Sequence, residues 1–177
     1  SALAGHNVIL TEQSEQLGGF ALNLKKRFPS KGKFEVLEET GIEQKTENLK
    51  NNPQVRVITG SEISRISGQP GLFDVEIDLK SKKENFRVGA IIQATGFKPY
   101  DANKLDHLGH GKFKNIVTSV EFEDMVSRGE IKRPSDGGKA KNVVFIQCAG
   151  SRDEKHLPYC STVCCMTSLK QAVYLRE

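Results

Sequence analysis

All four cysteines of this 177-residue chain lie between Cys148 and Cys165, in the order C-x11-C-x3-C-C. A secreted scaffold would spread its cysteines along the chain as staples. A cluster of this kind reads instead as a ligand set in a reducing compartment, so the chain is expected in the cytoplasm. The rest of the chain must then be held by an ordinary core. Apolar residues make up 37% and charged residues 27%, enough for one domain, or one domain with an attached unit, and too rich for a disordered tract. No apolar run approaches the ~20 residues of a membrane span. The first residues, Ser1 to His6, show no basic stretch leading into an apolar one, so they do not read as a secretory signal. The net charge of +4 is mild and spread out, which argues against nucleic acid as the main partner.

The start of the chain reads as the end of something. Residues 2–4 read as a helix tail with Gly5 as its C-cap, and residues 7–12 as a buried strand ending in Glu12. Helix tail, glycine, apolar strand and carboxylate form the second half of a βαβ unit. In a dinucleotide-binding unit that carboxylate bonds a ribose hydroxyl. The glycine-rich loop G-x-G-x-x-G of the first half occurs nowhere in the sequence. The expectation is therefore a piece of a longer protein, ahead of a natural chain that lacks its nucleotide loop. Gly18 and Gly19 follow, a pair that lets backbone approach a ligand closely and can turn amides toward phosphate, or that simply makes a turn.

Farther on, residues 20–28 read as a helix ending in Lys25, Lys26 and Arg27, and stopped by Pro29. Residues 31–33 read as a loop and residues 34–51 as a second helix with a break near Gly41. Residues 55–96 read as a β-meander. Strands are expected at 55–59 and 62–67, a turn at 68–71 and a strictly alternating strand at 73–79. A charged loop at 80–85 and a strand at 86–92 then lead into Thr95 and Gly96, whose amides can approach a ligand or simply end the strand. Residues 97–111 read as loop and 119–128 as a helix capped by Ser119. A linker at 134–141, a buried strand at 142–147 and a helix at 161–176 complete the chain. The last helix is expected to turn Cys165, Met166, Leu169, Ala172 and Val173 to one face.

The cysteines then take on a geometry. Cys148 would stand at a strand end, and Cys160, Cys164 and Cys165 around a helix start, where amides and dipole favour negative charge. Four thiolates suit the corners of an iron–sulfur cube. Zinc fits less well, because the two C-x2-C hooks of a four-cysteine zinc site are missing, and redox or structural thiols remain a third reading. His107 and His110 form an H-x2-H pair that could bind metal or face solvent. His156, inside the cysteine loop, could be a ligand or a proton donor. Arg152 and Lys155 could offset cluster charge or be ordinary surface cations. No Ser/His/Asp set or carboxylate pair suggests a hydrolase, so no catalytic side chain is assigned.

Three segments together resemble one family: the strand ending in Glu12 with Gly18-Gly19, the run Ile91-Ile92-Gln93-Ala94-Thr95-Gly96-Phe97, and the Phe145-to-Asp153 and Pro158-to-Met166 stretches that carry the cysteines. The first two are similar to flavoproteins with two dinucleotide-binding domains, of the thioredoxin reductase and pyridine nucleotide-disulfide oxidoreductase type. The third resembles the A-type flavin subunit of heterodisulfide reductase. The resemblance implies an α/β fold, a partial two-dinucleotide-binding-domain (Rossmann-like) flavoprotein fold with a β-meander. Residues 1–133 would be a partial FAD-binding domain, with the meander at 55–96, and residues 141–177 the start of a second Rossmann-like unit carrying the cysteines.

The same resemblance implies FAD at Glu12, Gly18, Gly19, Thr95 and Gly96, and a [4Fe–4S] cluster on Cys148, Cys160, Cys164 and Cys165. The intact parent would be an electron-transfer subunit of an oxidoreductase complex, working with other electron-transfer subunits. It would not span a membrane, though its partners could hold it at one. The isolated piece is expected to be inactive. The alternative is a non-catalytic docking module with a zinc-bound or thiol-only cysteine loop.

Overall fold

The computed structural model describes residues 1–31 and 36–176. The elements run β1 (Val8–Thr11), β2 (Lys26–Arg27), β3 (Glu38–Glu39), α1 (Ile42–Lys50), β4 (Val55–Ile58), β5 (Ser61–Gln69), β6 (Leu72–Leu79), β7 (Lys82–Val88), α2 (Ser119–Ser127) and α3 (Cys164–Tyr174), with short 3-10 turns between. The fold is mixed α/β, with small sheets and few helices. It divides into two compact units, residues 1–22 with 41–96, and residues 23–40 with 97–177.

In the first unit, β1 pairs with β4 in parallel, from Val8 opposite Val55 to Thr11 opposite Ile58. The 3-10 turn Ala2–Ala4 leads into this strand and ends at Gly5 in the left-handed region, φ 85°, as the helix-tail reading expects. The α1 helix starts at Gly41, φ 62°, where the sequence suggests a break, and packs on β4. Most of the expected 31–33 loop and the first residues of the expected 34–51 helix lie outside the described residues.

The meander β5-β6-β7 is antiparallel throughout. Its middle strand carries the strict alternation of the sequence, and Val75 and Ile77 point into a core completed by Ile58, with Ile9, Phe73, Leu79, Phe86 and Val88 around it. Each such aliphatic side chain contributes ~1.5–3 kcal/mol when fully buried. Pro70 and Gly71 close the β5–β6 hairpin between the paired Gln69 and Leu72.

The β6–β7 hairpin departs from the sequence reading. The charged stretch expected as a loop is most of β7, since Leu79 already pairs with Lys82 and the turn is two residues long. The charges are the strand's wet face. Lys83 pairs with Glu76 at 2.9 Å and Arg87 with Asp74 at 2.8 Å across the sheet. The strand ends at Val88, short of the expected Ile92, and residues 91–96 stand exposed.

In the second unit, Leu37, Phe122, Val126 and Tyr174 form the core, with Phe28, Val117, Ile131, Val173 and Leu175 packed around them. Residues 20–28 are not a helix. A 3-10 turn, Gly19–Asn23, is followed by β2, which pairs with β3 and holds the Arg27–Glu38 ion pair at 3.0 Å. The reason is tertiary: the Tyr174 hydroxyl accepts from the Lys26 amide at 3.1 Å and donates to its carbonyl at 3.2 Å, taking the groups a helix would use.

The α2 helix begins one residue from the expected cap. Thr118 is the N-cap, and a full capping box joins it to Glu121. Residues 142–147 form no strand. Among the described residues none pairs with them, and only Phe145 is drawn in, edge-to-face on Phe122 at 6.5 Å. The last helix also turns the other way. Lys170, Gln171 and Tyr174 are its buried face, while Met166, Leu169 and Cys165 look outward. No helix among the described residues is long and apolar enough to cross a membrane.

Candidate metal centre and flavin-binding positions

Among the described residues, the cysteine loop is where left-handed backbone falls on residues other than glycine. Among the described residues, only Cys148 (φ 55°), Arg152 (φ 54°) and Thr162 (φ 63°) are non-glycine residues with positive φ. All three lie on the segment from Cys148 to Cys165. Such conformations cost ~1–3 kcal/mol each when strained and persist where the surroundings impose them, commonly at ligand clamps.

The surroundings here are the loop's own hydrogen bonds. Ser151 N–H donates to Cys148 O at 3.2 Å, Leu157 N–H to Gly150 O at 3.3 Å and Arg152 N–H to Tyr159 O at 3.0 Å. These bonds fold residues 148–160 back on themselves, so one limb carries Cys148 and the other Cys160. Cys148 does not stand at a strand end as expected, because the strand is absent. This folded loop presents it instead.

Cys164 and Cys165 open α3. The Thr162 amide donates to Cys160 Sγ at 3.4 Å, and the Cys164 amide reaches the Ser161 hydroxyl at 3.4 Å. The Ser161 hydroxyl and the Cys148 backbone N–H, with a contribution from Cys165, hold the Cys164 thiol below the ordinary cysteine value despite partial burial. Cys165 is pushed the other way by its bond to Cys164 and by Cys164's charge, with burial, Cys148 and Cys160 adding to it. Cys148, Cys160 and Cys164 thus all bear on Cys165 at this helix start. Among the described residues no three His, Cys, Asp or Glu side chains form a group that could hold a metal ion. The donor chemistry, four soft thiols with amides and hydroxyl directed at sulfur, fits an iron–sulfur cluster; the arrangement stops short of a closed ligand set.

The histidines resolve differently. His110 Nε2 lies 3.1 Å from Glu121, and its Nδ1 3.3 Å from Asn103, a bracing contact beside the α2 cap. His107 lies in the short 3-10 turn Asp106–Leu108. His156 Nδ1 is bound to the Tyr100 hydroxyl at 2.6 Å, which leaves only Nε2 for any other partner. Arg152 and Lys155 are exposed on the loop. Tyr100 and Ser161 carry no sequence signal that would have singled them out.

Of the flavin positions, Glu12 directly follows β1. Its Oε1 accepts from the Ser14 amide and hydroxyl, both at 2.8 Å, and these bonds hold the carboxyl below the usual glutamate value. Gly18 and Gly19 both have positive φ, 117° and 49°. A Cβ on Gly18 would stand 2.7 Å from Leu22 Cγ, so glycine is required there. Thr95 and Gly96 lie beyond the end of β7, exposed rather than at a strand end, with Gly96 at φ 67° and open space beside it.

No protein-family model matches the chain. Curated relatives do. The chain is 45% identical over 108 residues to the A-type subunit of the H(2)/formate:CoB-CoM heterodisulfide,ferredoxin reductase of Methanococcus maripaludis, a match that covers 58% of this chain and 16% of that protein. It is 39% identical over 112 residues to an A-type iron-sulfur subunit of the CoB--CoM heterodisulfide reductase of Methanopyrus kandleri, covering 58% of this chain and 17% of the relative. It is 35% identical over 109 residues to the A-type subunit of the ferredoxin:CoB-CoM heterodisulfide reductase of Methanosarcina mazei, covering 58% and 14%. The resemblance read from the sequence holds: the matched part of the chain is similar to a segment of the A-type subunits of heterodisulfide reductases. The chain spans about one sixth of the length of these relatives.

Proposed function

We propose, taking this likeness to the A-type subunits of heterodisulfide reductases as the premise, that the chain is part of an FAD- and iron–sulfur-dependent electron-transfer subunit of an oxidoreductase complex in the cytoplasm. One observation carries the reading. Every non-glycine left-handed residue described, and every cysteine, lies within or beside the same folded loop and helix start. Strain collected at Cys148 and at two residues of the loop that bears the cysteines is what a cluster clamp would hold before its ligand arrives.

Cys148, Cys160, Cys164 and Cys165 would hold a [4Fe–4S] cluster, which supplies one-electron transfer when bound. The chain's own residues prepare for that charge. The Cys148 amide and Ser161 hydroxyl lower the proton affinity of Cys164, and the start of α3 adds the positive end of its dipole. Glu12, Gly18, Gly19, Thr95 and Gly96 would line the FAD. The Ser14 bonds keep Glu12 ionised and fixed, as an acceptor for ribose hydroxyls must be. Residues 1–133 would then belong to a Rossmann-like flavin domain and residues 141–177 to the start of a second. No acid–base side chain is needed, because the protein's work is to hold two redox groups and tune them.

Anaerobic expression followed by iron, sulfide and zinc analysis tests the reading. About four iron and four sulfide per chain, lost together when any one of the four cysteines becomes serine, is the expected result. A fully folded chain that carries zinc and no iron would overturn it in favour of the docking module.

A further inference from the structure

The cysteine loop is clamped from outside by one aromatic residue. Tyr100 meets it at two points, one on each limb. On the first limb Gly150 lies against the Tyr100 ring: a Cβ there would stand 2.5 Å from Cδ1, 2.8 Å from Cε1 and 3.0 Å from Cγ. On the second limb the Tyr100 hydroxyl binds His156 Nδ1 at 2.6 Å, with the two rings edge-on, 5.7 Å apart and 88° to each other. Gly150 is buried and has φ 79°, so both its conformation and its neighbour demand glycine.

We infer that Tyr100 is a positioning residue that holds the two limbs of the 148–160 loop in register, and with them Cys148 and Cys160. The inference rests on the reading of this loop as a cluster clamp, and it adds a residue that the cysteine motif does not contain. The geometry supports it through spacing. Gly150 is two residues beyond Cys148, and Leu157, whose amide bonds Gly150, is next to His156. Tyr100 thus grips the loop where its limbs are already tied, and the grip resists their separation. The hydroxyl donates to His156 Nδ1 when that ring carries its proton on Nε2.

The test uses the whole chain, reduced and metal-free under anaerobic conditions. Alkylation by iodoacetamide is followed at each cysteine by mass spectrometry. Tyr100→Phe keeps the ring over Gly150 and removes only the hydroxyl. It is expected to speed alkylation of Cys148 and Cys160 about fivefold, the worth of one hydrogen bond, and to leave Cys165 on α3 at the wild-type rate. His156→Asn, which restores a side-chain amide near the Nδ1 position, is expected to give a smaller change. Equal rates at Cys148 and Cys160 in wild type and Tyr100→Phe would overturn the inference, as would a uniform rise at all four cysteines. A parallel measurement of iron loss to a chelator after reconstitution separates this result from the functional reading. A chain that never takes up iron, yet shows the selective alkylation change, keeps the clamp and loses the cluster. A chain that takes up iron and releases it equally fast with and without the hydroxyl, at equal alkylation rates, keeps the cluster and loses the clamp.

Discussion

The Lys170 ammonium and the Glu123 carboxylate meet at 3.0 Å with their side chains only 8% and 2% exposed. Neither is left with unmet bonding. Lys170 also donates to the Lys26 carbonyl at 3.2 Å and sits 5.6 Å over the Tyr174 ring. The other Glu123 oxygen accepts from Gln171 Nε2 at 3.0 Å, and that same amide donates to the Ser119 carbonyl at 2.9 Å. The network bolts the cysteine-bearing α3 to α2 and β2. Removing one partner strands a charge out of water, so Glu123→Leu is expected to cost ~3–5 kcal/mol in urea unfolding. The double variant Lys170→Met/Glu123→Leu should recover much of that. A double variant no more stable than Glu123→Leu would show that the pair is not the source of the loss.

The capping box makes the second unit acid-sensitive. Partial burial raises the Glu121 carboxyl, but the Thr118 amide, the Thr118 hydroxyl and His110 outweigh it and leave the pKa below the ordinary value. A carboxylate lowered on folding adds stability above its unfolded pKa, and the gain is lost as pH falls through the folded one. Thr118→Ala should therefore cost ~1 kcal/mol at neutral pH. Its deficit in thermal midpoint should shrink below the ordinary glutamate range without vanishing, because the Thr118 hydroxyl accepts from the Glu121 amide whatever the carboxyl's charge, and Glu121→Gln should flatten the same acid limb.

Gly68 is fixed by sterics in the β5–β6 hairpin. It has φ 95°, and a Cβ there would lie 2.1 Å from the Leu72 carbonyl oxygen, while Gly71, at φ 90°, has open space. Gly68→Ala is expected to lose ~1–3 kcal/mol by calorimetry, and more than Gly71→Ala. Equal losses would mean that backbone conformation alone, and not the Leu72 contact, sets the penalty.

The two thiols that open α3 should titrate apart. In the reduced, metal-free chain, the alkylation rate of Cys164 should rise at lower pH than that of Cys165, since the Ser161 hydroxyl and the Cys148 amide favour one thiolate and its charge then opposes the next. Ser161→Ala should narrow the gap. Two profiles rising together would contradict the hydrogen bonding described at Cys164.

Where the sequence is legible, the physics is local. The alternation of β6 reports one buried face, and Gly5 reports a left-handed cap, because neighbouring residues decide both. Where it misleads, a distant residue decides. Lys26 leaves the helical pattern because Tyr174, 148 positions away, takes its amide and carbonyl. The α3 helix buries Lys170 and Gln171 in place of its apolar stripe because Glu123 waits on α2 to receive them. The clustering of the four cysteines is plain in the sequence, and their spacing offers them as candidate ligands. Its folded loop is not, because the tie at Arg152 runs to Tyr159 and the clamp comes from Tyr100.

The apolar runs at 91–92 and 143–146 have a practical consequence. Ile92 is 77% exposed and Val144 84%, and among the described residues no strand pairs with either run. Exposed apolar chain with unpaired backbone groups is open to strand addition. Association of copies at high concentration is the expected consequence, read as light scattering that rises with concentration and falls in Ile92→Lys or Val144→Lys.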